Sequence, residues 1–467
     1  MNKVNKTENK WGEDMRGKVL LFLLLFLCLG SQLVHGEQLQ SVSSFDELVE
    51  RIVTAQPGET ITLEAGEYHG QLLINKEITL QGKDGTHIIG PSSGYPIIIE
   101  AENVTIKNLH IEGGGTQNAG IYIKSNRNKI INNSFKNVFH GIYIKDGYGN
   151  EIANNTITSF SKDVHKGFGI YLVNAPQTKI SNNYLYDLQD GIYVSYSDYG
   201  EVTNNLIENA RYGIHTMDSK NVVISKNEVR KSHNGLMIMQ SSDLFITENI
   251  LHMNTTIDGA GMFIYDTFDS VIKVNVMKGN FKGIFFENAQ RNTVEFNTFQ
   301  QNDIGFDLGK ASKSNLIYLN NFNKNTKQII SASGNKNLFS RDGYGNYWDD
   351  QRSINLNGDE FIDFPYKSGD IFFNMTNKEP LLQVFFQSPA VYLWNKIEQF
   401  TPIPADHFII DEHTLVSPAP IKLDFLNSTN DRKSKTSHSL LQILFFSSIV
   451  CFSGFLLWKT RRKKSEN

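Results

Sequence analysis

A glycine followed by an apolar residue returns at Gly120, Gly141, Gly169, Gly191, Gly213, Gly235, Gly261, Gly283 and Gly305, and five of the eight intervals are 22 residues. An asparagine keeps step at positions 133, 155, 183, 205, 227, 249, 275, 297 and 320. Each has an aliphatic residue three before it and an apolar one two after it, as in "IANNTI", "VTNNLI" and "VEFNTF". A period of this length is the mark of a stacked repeat, in which each unit buries its apolar face only against its neighbours.

Within a repeat the apolar spacing is two and β-branched residues dominate, so the units are strands. Glycine and asparagine at fixed offsets supply the bends. Three short strands per repeat, stacked in register, predict an all-β chain folded as a right-handed parallel β-helix. The recurring asparagine then reads as an inward amide ladder with a structural role. Looser coils ("ITLEAGEY", "ITLQGKD", "VTIKNLHI") extend the stack back to about residue 60, and "SFDELVERIVTA", with Ser44 as N-cap, predicts a helix over its N-terminal end. Two repeats are stretched, near "SKDVHKG" and "NTTIDGA", where loops on a rigid coil become places for recognition.

The ends place the chain in a compartment. Lys18, the apolar run Val19–Leu29 and Val34-His35-Gly36 read as a secretory signal cleaved before Glu37, the alternative being an uncleaved anchor. Leu440–Trp458 is 19 residues without charge, followed by "KTRRKK", which predicts a transmembrane helix with a cytoplasmic basic tail. The resulting division is 1–36 signal, 37–340 β-helix with its cap, 341–423 C-terminal module, 424–439 linker, 440–458 membrane helix and 459–467 tail. The bulk of the protein is exported and held on the outer face of the membrane. Net charge of −4 gives no footprint for nucleic acid. Cys28 and Cys451 both fall in the hydrophobic end segments, so the exported part has neither disulfides nor thiolate metal sites.

In each "GIYI"-type strand the second residue after glycine points outward. That column reads Tyr122, Tyr143, Tyr171, Tyr193, His215, Met237, Phe263, Phe285. Tyr143, Tyr171 and Tyr193 are candidates for partner docking or a sugar platform; the bland alternative is a stripe covered by a loop. Met217 and Met239 follow two residues after His215 and Met237. Neighbouring rungs are ~4.8 Å apart and alternate side chains ~6.6 Å apart. His215, Met217, Met237 and Met239 would therefore make one exposed patch whose thioethers and imidazole suit Cu(I), bound transiently, better than zinc, calcium or magnesium. Methionine as adaptable apolar filler is the competing account. No acidic or basic cluster is evident beside the tyrosine columns, so no catalytic residues are assigned and the chain is not read as an enzyme. Asn355, Asn357, Asp359 and Asp363 around Gly358 have the spacing of a calcium-type loop, weakened by two asparagines where acids are usual.

Together, the 22-residue "GI…NN" coils, "GNYWDD…NGD…D-x-P-Y" and the following "SPA…P…P" resemble the NosD family over roughly residues 40 to 420. The resemblance implies an exported β-helix accessory protein for maturation of nitrous oxide reductase. It further implies a place on the outer face of an ABC-type transporter, with permease and ATPase subunits, a copper chaperone and the reductase as partners and its copper–sulfur centre as the end point. Family loops usually read D-x-[DN]-G-D-G-[IV]-G-D-x-P-Y; Asn355, Glu360 and Ile362 depart from that pattern and weaken the calcium expectation. The competing reading is a secreted carbohydrate-active enzyme of lyase or epimerase type, with the tyrosine stripe as its platform.

Overall fold

The computed structural model describes residues 41–160, 165–332, 336–351, 355–368, 379–385, 388–398 and 409–421. The signal segment, linker, membrane span and basic tail expected from the sequence lie outside them. No helix among the described residues is long and apolar enough to cross a membrane.

One coil shows why the repeat folds as it does. Glu201–Thr203 forms the first side, and Asn204 turns the corner at φ 56°. Asn205 then points inward, 1 % exposed, and Leu206–Met217 forms the second and third sides with a bend at Asn209, φ 52°. The "NN" pair thus divides its labour: the first residue takes the left-handed conformation that asparagine tolerates, and the second enters the core. Lys226, Glu248 and Val274 hold the same left-handed position in other coils, so asparagine is favoured there without being required.

Every side pairs in parallel with the same side one coil on. Glu201–Thr203 meets Val223–Ser225, Leu206–Glu208 meets Glu228–Arg230, and Tyr212–Met217 meets Asn234–Met239. The first sides form a 12-stranded sheet from Glu59–Leu63 to Leu316–Tyr318, while the other two sides join at their bends into a second hydrogen-bonded sheet. The interior is a continuous column of aliphatic residues such as Ile180, Val202, Ile224, Ile246 and Ile272.

The glycine column makes the close approach possible. A Cβ on Gly191 would stand 2.6 Å from the carbonyl oxygen of Gly213, a distance no side chain accepts. The asparagine column is the expected ladder: the Asn227 carbonyl accepts from the Asn205 backbone N–H and Nδ2, and its Nδ2 donates to Val202 O and Asn249 Oδ1. Two further inward columns were not anticipated. Ser197, Ser219 and Ser241 link one corner, and Ser232, Asn254, Asn280 and Asn302 another.

Before the first coil, the helix Phe45–Thr54 starts at Ser44, whose hydroxyl accepts from the Glu47 N–H, and its Leu48 and Ile52 join the core. At the other end the C-terminal module completes the stack. Asn346 takes the next place in the ladder, and Asp411 the last, its Oδ2 accepting from Asn346 N, Asn346 Nδ2 and Trp348 Nε1. Phe299, Phe322, Trp348 and Tyr366 stack with centroids 4.5, 4.2 and 4.2 Å apart. The "GNYWDD" and "D-x-P-Y" stretches are therefore core-terminating residues.

Candidate functional site

The third side of the coils carries the chemistry. Tyr95, Tyr122, Tyr143 and Tyr171 stack along it at 4.7, 5.0 and 4.5 Å, and Tyr193 meets Tyr171 edge-on at 5.3 Å. The docking candidates Tyr143, Tyr171 and Tyr193 are half-buried, facing each other as much as solvent. Burial, with the neighbouring Tyr171 second, pushes the Tyr143 phenol up to about 12. The stretched repeat folds back on this stripe: Phe168 stacks on Tyr193 at 5.3 Å, and its N–H donates to Nδ1 of His140 at 2.9 Å. Burial drives His140 down to about 4, so it is neutral at neutral pH.

Where the tyrosines end, His215 begins. Its ring lies edge-on to Tyr193 at 4.7 Å and to Tyr212 at 5.2 Å. Its strand pairs His215 with Met237 and Met217 with Met239, so the four copper candidates occupy two adjacent rungs, as the repeat arithmetic requires. The expectation that they form an exposed patch is corrected, because His215 is 7 % and Met237 6 % exposed, and Met217 and Met239 are only partly open. Phase alone set them outward; the rings of Tyr193 and Tyr212 pack against His215.

The sequence reading also missed an ion cluster here. Asp190, fully buried, receives Nε and Nη2 of Arg211 at 2.8 and 2.9 Å and contacts His215 Nδ1 at 2.9 Å. A carboxylate that already accepts from a guanidinium can only accept again, so Nδ1 donates to it, and in the neutral ring Nε2 is left with the lone pair. That Nε2 is buried and has no hydrogen-bond partner. The neighbouring sulfurs are weak acceptors, Met217 from the Tyr193 hydroxyl at 3.6 Å and Met237 from Asn234 Nδ2 at 3.7 Å. The expectation that no acidic or basic cluster stands beside the tyrosine column is therefore corrected: Asp190, Arg211 and His215 form one there.

The signal for them was a diagonal. Asp190 precedes the glycine of one coil and touches the second residue after glycine in the next, an offset of 25. Phe168 with Tyr193 repeats it, as does the buried pair Lys282 with Asp307, at 2.9 Å.

The calcium-type loop is exposed, and its oxygens serve the loop itself. Asn355 Oδ1 accepts from Gly358 N at 2.7 Å, Asp359 Oδ1 from Phe361 N at 2.8 Å, and Asp359 Oδ2 from Asn357 Nδ2 at 2.8 Å. Asp363 accepts from Leu356 N. Among the described residues no group of three His, Cys, Asp or Glu side chains is placed to hold a metal ion, a criterion that does not count thioethers.

Residues 158–353 match the family described as "Periplasmic copper-binding protein (NosD)". The "Probable ABC transporter binding protein NosD" of Stutzerimonas stutzeri is 32 % identical over 381 residues, covering 77 % of this chain and 87 % of that protein. The chain belongs to the NosD family. The Pseudomonas aeruginosa (strain PAO1) protein of the same description is 27 % identical over 135 residues, 29 % of this NosD chain and 32 % of its own length. Among solved structures, the A-module of Azotobacter vinelandii mannuronan C-5 epimerase AlgE4 overlaps with a TM-score of 0.44 at 15 % identity, over 61 % of this chain and 92 % of that one. An alginate lyase from Paenibacillus sp. str. FPU-7 overlaps at 0.41 and 16 % identity, over 55 % and 93 %. Likeness at this level carries no statement about activity.

Proposed function

We propose that this NosD protein is an exported, non-catalytic accessory factor that holds Cu(I) as cargo at His215, Met217, Met237 and Met239. One observation carries the reading: a buried imidazole fixed by Asp190 presents an unpartnered Nε2, an open ligand in the neutral ring, in strands that also present thioethers. An orphaned buried acceptor costs ~1–3 kcal/mol, a cost relieved when a Lewis acid binds it. Imidazole and thioether together favour Cu(I) over hard divalent ions. A carboxylate behind the ligand imidazole orients it and raises its basicity. The description of the family as copper-binding supports the same assignment. Under this reading the chain works with the permease and ATPase of an ABC-type transporter, receives copper from a chaperone and serves nitrous oxide reductase. Leu440–Trp458 anchors it, Phe45–Thr54 closes the N-terminal end of the stack, and the half-buried tyrosines belong to the docking face.

The test is Cu(I) binding by anaerobic competition with a chelator, for wild type and for Met237→Leu with Met239→Leu. Leucine keeps the apolar volume and removes sulfur, so affinity should fall at least tenfold with the fold intact. Equal affinity, or no binding by either protein, refutes the site. A second reading is favoured by one observation: Asp190, Arg211, His215 and Tyr193 together resemble the base and charge-neutralising set of a saccharide-processing enzyme. Turnover of uronate polysaccharides by metal-free protein, abolished by His215→Gln, would establish that reading in place of the first.

A further inference from the structure

Arg211 also lines a cavity of about 650 Å³, together with Thr116, Gln117, Phe139, His165, Lys166, Leu188 and Gln189. It is a built feature. The stretched repeat supplies His165 and Lys166, and its base is locked by Gly167 N donating to Ser159 Oγ at 3.1 Å and Gln189 N donating to Gly167 O at 2.9 Å. A Cβ on Gly167 would lie 2.0 Å from the Phe139 carbonyl oxygen, so the extra segment can press against the coil only with glycine there. Among the described lining residues none is a carboxylate, although the whole chain carries net charge −4; the charged ones are Arg211 and Lys166. Arg211 spends Nε and Nη2 on Asp190, while Nη1 has no hydrogen-bond partner among the described residues and the guanidinium packs on Tyr212, 4.4 Å from its ring centroid. Phe139 and Leu188 give an apolar floor, and Thr116, Gln117 and Gln189 give neutral hydrogen-bonding groups.

We infer that this cavity binds an organic carboxylate, received by Arg211 and Lys166. An immobilised guanidinium matches the planar carboxylate, and Lys166 adds a second, compact charge. The volume is that of a small-ligand site, far larger than an inorganic anion needs, and the apolar floor with amide flanks suits an acid with a hydroxylated or peptide body. Two sources share that chemistry: a free small organic acid, and an acidic side chain of a docked protein. The inference is independent of the copper reading, because it concerns metal-free protein.

The test is calorimetry on the full chain, metal-free in detergent, with two probes: galacturonate as a free acid and an end-blocked tetraglutamate peptide as a protein-borne one. Sulfate is the control. At least one probe should bind saturably, and binding should weaken at least tenfold in Arg211→Lys, which keeps the charge on Asp190 but loses the fork. Lys166→Gln, which removes the second charge but keeps a donor for the Phe160 carbonyl, should weaken it as much, with a urea melt matching wild type showing that the fold is kept. Because Asp190 bridges Arg211 and His215, the bound probe should also shift the ¹⁵N resonances of the His215 ring. Galacturonate alone binding assigns the free acid, and the peptide alone binding assigns a docked protein. If neither binds, if both variants bind as wild type does, or if sulfate binds as tightly as the probes, the inference is overturned. Cu(I) loading measured on the same samples shows whether the copper site stands or falls separately.

Discussion

Removing one rung of the asparagine ladder tests the scaffold most directly. In Asn227→Ala the Asn205 backbone N–H, fully inside the coil, loses its acceptor at 3.0 Å, and Val202 O loses its Nδ2 donor at 2.9 Å. Asn205 Nδ2 keeps Ile180 O and Thr203 O, so only part of the network is orphaned. One stranded buried donor costs ~1–3 kcal/mol and the residual cavity adds to it, which places the loss near 3 kcal/mol. Asn227→Asp sharpens the argument. It keeps the acceptor toward Asn205, but when ionised sets a second oxygen against Val202 O and Asn249 Oδ1, both acceptors. Only the protonated acid donates there, so its native pKa rises above the unfolded value of about 3.9. Relative to wild type the variant is then best below about pH 4 and loses stability as pH rises through the raised native value. Urea melts of both variants and wild type, followed by far-UV circular dichroism from pH 3 to 8, measure both effects. An alanine variant within ~0.5 kcal/mol of wild type, or an aspartate variant whose difference from wild type is flat with pH, would falsify the ladder.

Asp411→Ala strips the acceptor from Asn346 N and Trp348 Nε1 together, so it should cost ~2–4 kcal/mol and red-shift tryptophan emission as the last coil opens. His140, lowered by burial to about 4, contributes stability that is complete above the unfolded value near 6.5 and is lost as pH falls from there toward 4. Its ring resonances should titrate near pH 4, and His140→Gln should flatten the stability profile between pH 6.5 and 4. A chain truncated after Asn430 should be released in soluble form, whereas the full chain fractionates with membranes and protease on intact cells removes the β-helix but spares the basic tail; protection of the β-helix would reverse the topology.

How much of this was legible depended on whether a feature repeats. The asparagine and glycine columns recur coil after coil, and steric closeness at Gly191 and amide pairing at Asn227 each demand one residue type, so period and phase could be read directly. The serine column at Ser197, Ser219 and Ser241 makes equivalent bonds, yet it passes to Thr267, Ala289 and then Ser312, and that mixing of residue types hid it. Exposure at the site failed for another reason. Strand alternation gives the direction of a side chain, whereas burial of His215 depends on its neighbours, Tyr193 one rung back and Tyr212 three residues earlier on its own strand. Asp190 escaped because columns were compared only with themselves. The residue before glycine leans toward the following coil and meets the second residue after its glycine, so interactions run diagonally: Phe168 to Tyr193, Asp190 to His215, Lys282 to Asp307. In the stretched coil the same diagonal joins His140 to Tyr171, 5.4 Å apart, at a separation longer by the six added residues. Solenoid chemistry of this kind is encoded at period plus three, and charges or imidazoles at that separation are where a buried site should be sought before a structure exists.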